Sequence, residues 1–497
     1  MVNGEVRLRY SGLIIFLARI LSVGTGLIFT LMVARSITAE TFGIYGNISD
    51  VLTYFTLASG IFPFWATRFV ARDHAGSSVT VLLSNLIIAV PAALLYLLIL
   101  PMVLPLFQVS TEFIIVYLLI SIQIIEIYLL SALEASLQAK KPQILGFGFM
   151  IFEISKVCIG YASIIWFGLG LIGAVIAVIL AIIIQLIFYF KIMLSKLREN
   201  VKWNYVREWV KASPFTLYGL VGQRLADSIL LLLFIYGGKL ARGYYGAALT
   251  IAGIVGYSAS IGYALYPSLL SKNQSQYITS SLKLVLMFAI PMAFGAVVMA
   301  DSYLTILNLE YSVARPILIL LSIDMLVLCF SSTFGAVVSG VEKLDAEAKI
   351  PWKKMIKSKL FFFLTLPYFQ AAVALPLAYY VLNYVSVTAV DSALFVASIV
   401  LTIDLGLVVV RYIIAKKSLR FQMPLTHILK FMVAAVVMAL LLYALPHPTR
   451  LTVTVALTLI GGCVYFVALA IIDSESRTVI KDALKELPKI IKHQESA

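Results

Sequence analysis

Fourteen apolar stretches follow one another along the chain, at about 12–34, 43–63, 79–107, 111–137, 144–167, 169–190, 213–236, 244–270, 284–304, 316–340, 360–384, 389–411, 427–445 and 451–472. A helix needs roughly 20 apolar residues to span the hydrocarbon core of a bilayer. The stretches lack the period-2 alternation of a barrel strand. Lipid offers no partner to an unpaired backbone amide, so each segment must satisfy its own hydrogen bonds, as a helix does. The pattern predicts an all-α polytopic membrane protein of about fourteen transmembrane helices. The polar connections are too short to hold a soluble domain.

Composition agrees. The chain is 62% hydrophobic and 12% charged, against about 25% charged in a soluble domain. Arg7 and Arg9 precede the first stretch, as in a signal peptide. Its apolar run is too long and lacks an A-x-A-like cleavage site, so it is expected to be retained. Cys158, Cys329 and Cys463 fall on distant helices and provide neither a disulfide framework nor metal-ligand spacing.

The net charge of +14 reports topology more than partner chemistry. With the N-terminus in the cytoplasm, 30 of the 38 Lys and Arg residues fall on the inner side. Five lie outside (Arg35, Lys239, Arg242, Arg315 and Arg450), and three lie within helices. This asymmetry fits an even number of crossings with both termini cytoplasmic. It predicts a multi-pass protein of the cytoplasmic membrane, contacting lipid and no nucleic acid.

A connection rich in Lys, Arg, Trp and Tyr divides the chain. It carries Lys196, Arg198, Lys202, Arg207 and Lys211, with Trp203, Tyr205 and Trp209 between them. Aromatic and basic residues together suit the headgroup zone. A short repeat flanks this segment: Gly43-Ile44-Tyr45-Gly46 and Gly243-Tyr244-Tyr245-Gly246. Six helices precede the second copy, so both copies share one orientation, as in parallel repeats related by an axis along the membrane normal. The expected organisation is an N-terminal six-helix lobe (1–194), an interfacial linker (195–212), and a second six-helix lobe (213–415) related to the first by a pseudo-twofold. Two extra helices (416–473) and a cytoplasmic amphipathic tail (474–497) follow. In the tail Val479, Ile480, Leu484, Leu487 and Ile491 recur at helical spacing among lysines.

Ionisable groups inside a bilayer cost about 2.5–3.5 kcal/mol each at a helix centre and persist where they pair or face water. Here they are Arg19, Asp50, Glu126, Glu153, Lys156, Arg224, Asp227, Asp324 and Asp404. Arg224 and Asp227 share a helix face by their spacing of three. They form either an ion pair lining a cavity, where the arginine meets an anionic headgroup, or a self-neutralised pair touching no substrate. Glu153 and Lys156 repeat the spacing and read as a structural pair. Arg19 has no partner at helical spacing, so its planar fork of donors is a candidate for binding phosphate. Asn47 and Asp50 give the second helix a polar face. Asp50 and Asp227 are candidates for ion coupling; Glu126, Asp324 and Asp404 are each single carboxylates, candidates either for ion coupling or for interhelical hydrogen bonding. The histidines, His74, His427, His447 and His493, are scattered, and no metal-ligand spacing, cofactor motif or P-loop is present. The chain therefore reads as a non-enzyme, in keeping with transport at the bilayer midplane.

Several segments resemble one family. Arg35-Ser36-Ile37-Thr38-Ala39-Glu40-Thr41-Phe42-Gly43-Ile44-Tyr45 resembles the "R-x-L-G-x-E-x-F-G-x-Y" turn, departing from it at Ser36 and Thr38. Gly170-Leu171-Ile172-Gly173-Ala174 resembles a "G-x-x-G-A" helix opening, and Gly243-Tyr244-Tyr245 a "G-x-Y" opening. Arg224-Leu225-Ala226-Asp227 resembles an "R-x-D" step with one extra residue between the charges. These patterns are similar to those of the Wzx-like oligosaccharide flippases of the multidrug/oligosaccharidyl-lipid/polysaccharide (MOP) exporter superfamily. The resemblance implies two lobes around a cavity, working by alternating access. It implies a polyprenyl-(pyro)phosphate-linked oligosaccharide as substrate, Arg19, Arg224 and Asn47 in the cavity, and a coupling cation or proton. Glycan-assembly enzymes are the implied protein partners. Two alternatives stay open: a cation- or proton-coupled multidrug exporter of the same superfamily, and a non-transporting subunit of a glycan-assembly complex.

Overall fold

The computed structural model describes residues 21–22, 24–259, 275–341, 358–419, 421–446 and 448–478. Every regular element among them is helical. Eleven helices are long and apolar enough to cross a membrane, and they coincide with eleven of the fourteen predicted crossings. The first and eighth crossings run into undescribed residues, and the second is interrupted. The protein is a multi-pass membrane protein of the all-α kind that the hydropathy pattern predicts. Arg19, the Pro351-Trp352 connection and the tail beyond Thr478 lie outside the described residues.

The chain forms two compact units. The first is Met1–Gly246, Ala346–Met355 and Leu364–Val396; the second is Ala247–Asp345, Ile356–Phe363 and Ala397–Ala497. The first unit begins with α1 (24–36), α2 (Ala39–Phe55) and α3 (Ile61–Ala71), followed by α4 (Ser77–Phe107) and α5 (Ile114–Lys140). Then come α6 (Pro142–Gly160), α7 (Gly170–Leu197), α8 (Trp203–Asp227), the short α9 (Ile229–Leu232), and α10 (Lys239–Gly256), whose first turns belong here.

The second crossing breaks at a 3-10 turn, Leu57–Gly60, between α2 and α3. Pro63 accounts for the break. It has no N–H for the carbonyl of Ser59, four residues earlier, and its ring crowds that carbonyl. The side-chain amide of Asn85 on α4 replaces the lost donor, 2.9 Å from the Ser59 oxygen, and also reaches the Tyr128 carbonyl on α5 at 2.9 Å. Tyr128 in turn donates to the Phe55 carbonyl at 3.2 Å. A break in lipid is stable only with such replacements.

Residues of the predicted linker form the first turns of α8, continuous with the seventh crossing. Trp203 is exposed, as a headgroup residue should be, but Trp209 is fully buried, packed on Phe62 and edge-on to Phe69 of α3. At the α6–α7 turn Ser163 donates to the Gly173 carbonyl at 2.9 Å. A side chain at Gly173 would meet the Ser163 carbonyl, which explains the glycine that opens this helix.

The second unit contains α11 (Ser275–Val298), α12 (Ala300–Leu307), α13 (Arg315–Val341), the start of α14 (Lys359–Tyr384) and most of α15 (Ala389–Ser418). It ends with α16 (Leu425–Ala444) and α17 (Leu451–Ile472), the thirteenth and fourteenth crossings. These last two helices pack on α11 through Leu286, Met287, Phe431, Met438 and Leu469, with Tyr465 donating to the Met287 carbonyl at 2.8 Å. Lipid tails are as apolar as leucine, so such contacts depend on close packing. Ala434, Ala435 and Gly461 supply the small surfaces.

Candidate functional site

A group of polar side chains on neighbouring helices lies in the first unit. Asn47, Asp50 and Tyr54 fall at positions i, i+3 and i+7 of α2, so they line one face. Asp50 is gripped by Arg242 of α10, whose Nε and Nη2 donate to its two oxygens at 2.8 and 3.0 Å. Arg242 is only 5% exposed. Gly46 makes room for the guanidinium, since a side chain there would come within 2.8 Å of the Arg242 Cζ. The sequence places Arg242 among outer loop residues; the structure corrects this and puts it inside a helix, buried and paired. Hydropathy could not reveal it, because the partner is 192 residues away.

Tyr54 connects this pair to α8. Its hydroxyl donates to Ser228 Oγ at 3.0 Å and lies 3.3 Å from the Arg224 carbonyl. Arg224 Nη1 bonds Asp227 Oδ2 at 2.8 Å, and Gln223 Nε2 bonds the other Asp227 oxygen at 3.0 Å. The predicted i, i+3 pair is therefore formed. Its side chains keep 32% and 35% of their surface uncovered. Asp50 and Asp227 are within electrostatic reach of one another. Two arginines and two aspartates leave the group formally neutral. Only Arg224 combines an exposed face with donors that its aspartate does not use.

Of the remaining candidates, Asn47 shares the α2 face and the others lie elsewhere. Asn47 is fully buried and accepts the Tyr117 hydroxyl at 2.7 Å; Tyr96 donates to the Tyr117 carbonyl at 2.6 Å. Glu126 of α5 is 4% exposed, and neither of its oxygens has a hydrogen-bond partner among the described residues. Glu153 is 3% exposed and satisfied by Lys156 at 2.8 Å, Thr25 at 2.6 Å and Ser22 at 3.1 Å. This fits the structural reading of that pair. In the second unit, Asp324 of α13 and Asp404 of α15 interact electrostatically with each other. Both are buried. Arg411 interacts with Asp404 and lies 5.6 Å from the Phe363 ring centre. In the sequence these aspartates are separate candidates; their approach across two helices carries no local signal.

No protein-family model matches the chain, and no curated protein matches it in sequence. Among solved structures, the lipid II flippase MurJ in an inward closed conformation is similar, with a TM-score of 0.63 at 14% identity, over 95% of this chain and 99% of that one. An inward-facing multidrug resistance MATE family transporter of the MOP superfamily matches with a TM-score of 0.61 at 12% identity, over 80% of this chain and 95% of that one. An outward-facing MATE transporter matches with a TM-score of 0.56 at 13% identity, over 83% and 94%. The chain has the fold of the MATE and MurJ transporters of the MOP superfamily.

Proposed function

We propose that the protein moves a polyprenyl-(pyro)phosphate-linked oligosaccharide across the cytoplasmic membrane by alternating access. One observation carries the choice of cargo. The MurJ match covers 95% of this chain, whereas the MATE matches cover 80% and 83% of it while spending nearly their full length. The extra length favours a flippase over a twelve-helix drug exporter. Similarity to both inward- and outward-facing transporters supports the alternation. A sugar-phosphate head cannot enter hydrocarbon without replacement partners for its lost water. Arg224, with its uncovered donors, supplies one such partner. Arg19 is assigned the same task, and Asn47 shapes the polar face through Tyr117. Asp50, Asp227, Glu126, Asp324 and Asp404 are assigned to coupling with a proton or cation. Both termini are cytoplasmic in this reading, which also admits glycan-assembly enzymes as partners.

Coupled export of organic cations is the second reading, and the buried Asp324–Asp404 pair favours it. The test is translocation of a fluorescent polyprenyl-pyrophosphate-oligosaccharide in proteoliposomes, with and without a proton or sodium gradient. A charge-assisted hydrogen bond is worth about 1.5–3 kcal/mol, so Arg224→Ala should slow translocation about 10- to 100-fold. Full activity in both Arg224→Ala and Arg19→Ala would remove the phosphate assignment. Export of cationic dyes without lipid movement would establish the second reading.

A further inference from the structure

The two arginine–aspartate pairs of the first unit are closed to different degrees. Arg242 spends Nε and Nη2 on the two oxygens of Asp50, at 2.8 and 3.0 Å, so fork and carboxylate satisfy each other. Arg224 spends only Nη1 on Asp227, at 2.8 Å to Oδ2. The other oxygen, Oδ1, is taken by Gln223 Nε2 at 3.0 Å. Gln223 and Arg224 stand four and three positions before Asp227 on α8, so both reach its carboxylate from the preceding turn.

The arginine is fixed at its base as well as at its head. The Arg224 carbonyl, in the last turn of α8, accepts from the Ser228 N–H at 3.1 Å and from Ser228 Oγ at 3.0 Å. Tyr54 of α2 donates to the same Ser228 Oγ at 3.0 Å. Beside this anchored residue the Gln223 side chain is exposed. A carboxylate with both oxygens free takes a guanidinium bidentately, which is the stronger arrangement, and the Arg242–Asp50 pair has that form. The Gln223 amide occupies one oxygen of Asp227 instead and leaves an edge of the Arg224 fork open. Paired phosphate oxygens match such an edge.

We propose that Gln223 is a positioning residue: by holding the second oxygen of Asp227 it keeps the fork of Arg224 open for a phosphate of the cargo. This rests on the phosphate reading of Arg224 above and names the residue that sets the affinity of that site. Gln223 acts through Asp227. Without it the carboxylate swings onto the arginine and competes with the cargo for the same donors.

The test is a binding cycle on the full chain in detergent, with farnesyl pyrophosphate as probe and calorimetry as readout. Binding is measured because Asp227 also carries a coupling assignment that transport would mix in. Gln223→Met should weaken the Kd about tenfold where Asp227 is present. An asparagine side chain has one acceptor oxygen and cannot close the fork. In an Asp227→Asn background the same Gln223→Met change should therefore weaken binding by less than about twofold. Equal losses in the two backgrounds, or no loss in either, overturn the proposal. Phenylglyoxal, which adds across two nitrogens of an open guanidinium, reports the fork without any cargo. Gln223→Met should slow its addition to Arg224, followed by peptide mass spectrometry, about threefold or more; an unchanged rate overturns the proposal. If wild type and Arg224→Ala bind farnesyl pyrophosphate alike, the phosphate reading fails, while the phenylglyoxal rate still decides whether Gln223 holds the fork open.

Discussion

Asn85 should be a stability determinant because of a proline on another helix. Pro63 strands the Ser59 carbonyl, and the buried Asn85 amide is its replacement donor. Asn85→Ala leaves a buried acceptor without a partner, at a cost of about 1–3 kcal/mol. The lost side-chain volume adds about 0.5–1 kcal/mol, at about 24 cal/mol per Å3 of cavity. The expected loss is about 1.5–4 kcal/mol. In a Pro63→Ala background the residue-63 N–H can return to the Ser59 carbonyl, so the same Asn85→Ala change should cost about 1–2 kcal/mol less. The assay is a double-mutant cycle of unfolding by SDS in mixed micelles, followed by helical circular dichroism. Additivity of the two substitutions within about 0.5 kcal/mol would refute the link between proline and asparagine.

Lys156→Met should destabilise by about 3–5 kcal/mol, because it leaves the Glu153 carboxylate buried with only Thr25 and Ser22. Adding Glu153→Gln should recover most of that loss in the same unfolding assay. Just beyond α17, burial opposes ionisation of Asp473, but the Lys430 ammonium and the Ser476 hydroxyl and amide outweigh it and hold its pKa at about 2. Its contribution, about 2 kcal/mol from the shift, is complete above the unfolded value of 3.8 and disappears as pH falls toward 2. Thermal melts should show wild type losing its advantage over Asp473→Asn across that window; a constant difference would contradict the reasoning. Gly148→Ala should lower the melting temperature in detergent, because a methyl group there overlaps the Tyr189 ring, which is fully buried; an unchanged melt would show that the ring can shift.

The chain alone determined the class of its helices and the place of the eleven crossings that the described residues show, because lipid forces every spanning segment to satisfy its own backbone and so leaves a hydropathy signal about 20 residues long. It also determined the Arg224–Asp227 and Glu153–Lys156 pairs, since a spacing of three places two side chains on one helix face whatever surrounds it. Tertiary structure decided which helix faces meet. Lipid exerts little preference between one apolar face and another, so helix rotation and tilt are set by packing that has no local period. That is why Arg242 read as a loop residue yet lies buried on Asp50, and why Trp209 read as a headgroup residue yet packs on Phe62 and Phe69. Asp324 and Asp404, 80 positions apart, became neighbours for the same reason. The glycine quartets were visible as a repeat, but only the folded chain showed that each copy is the other's contact surface.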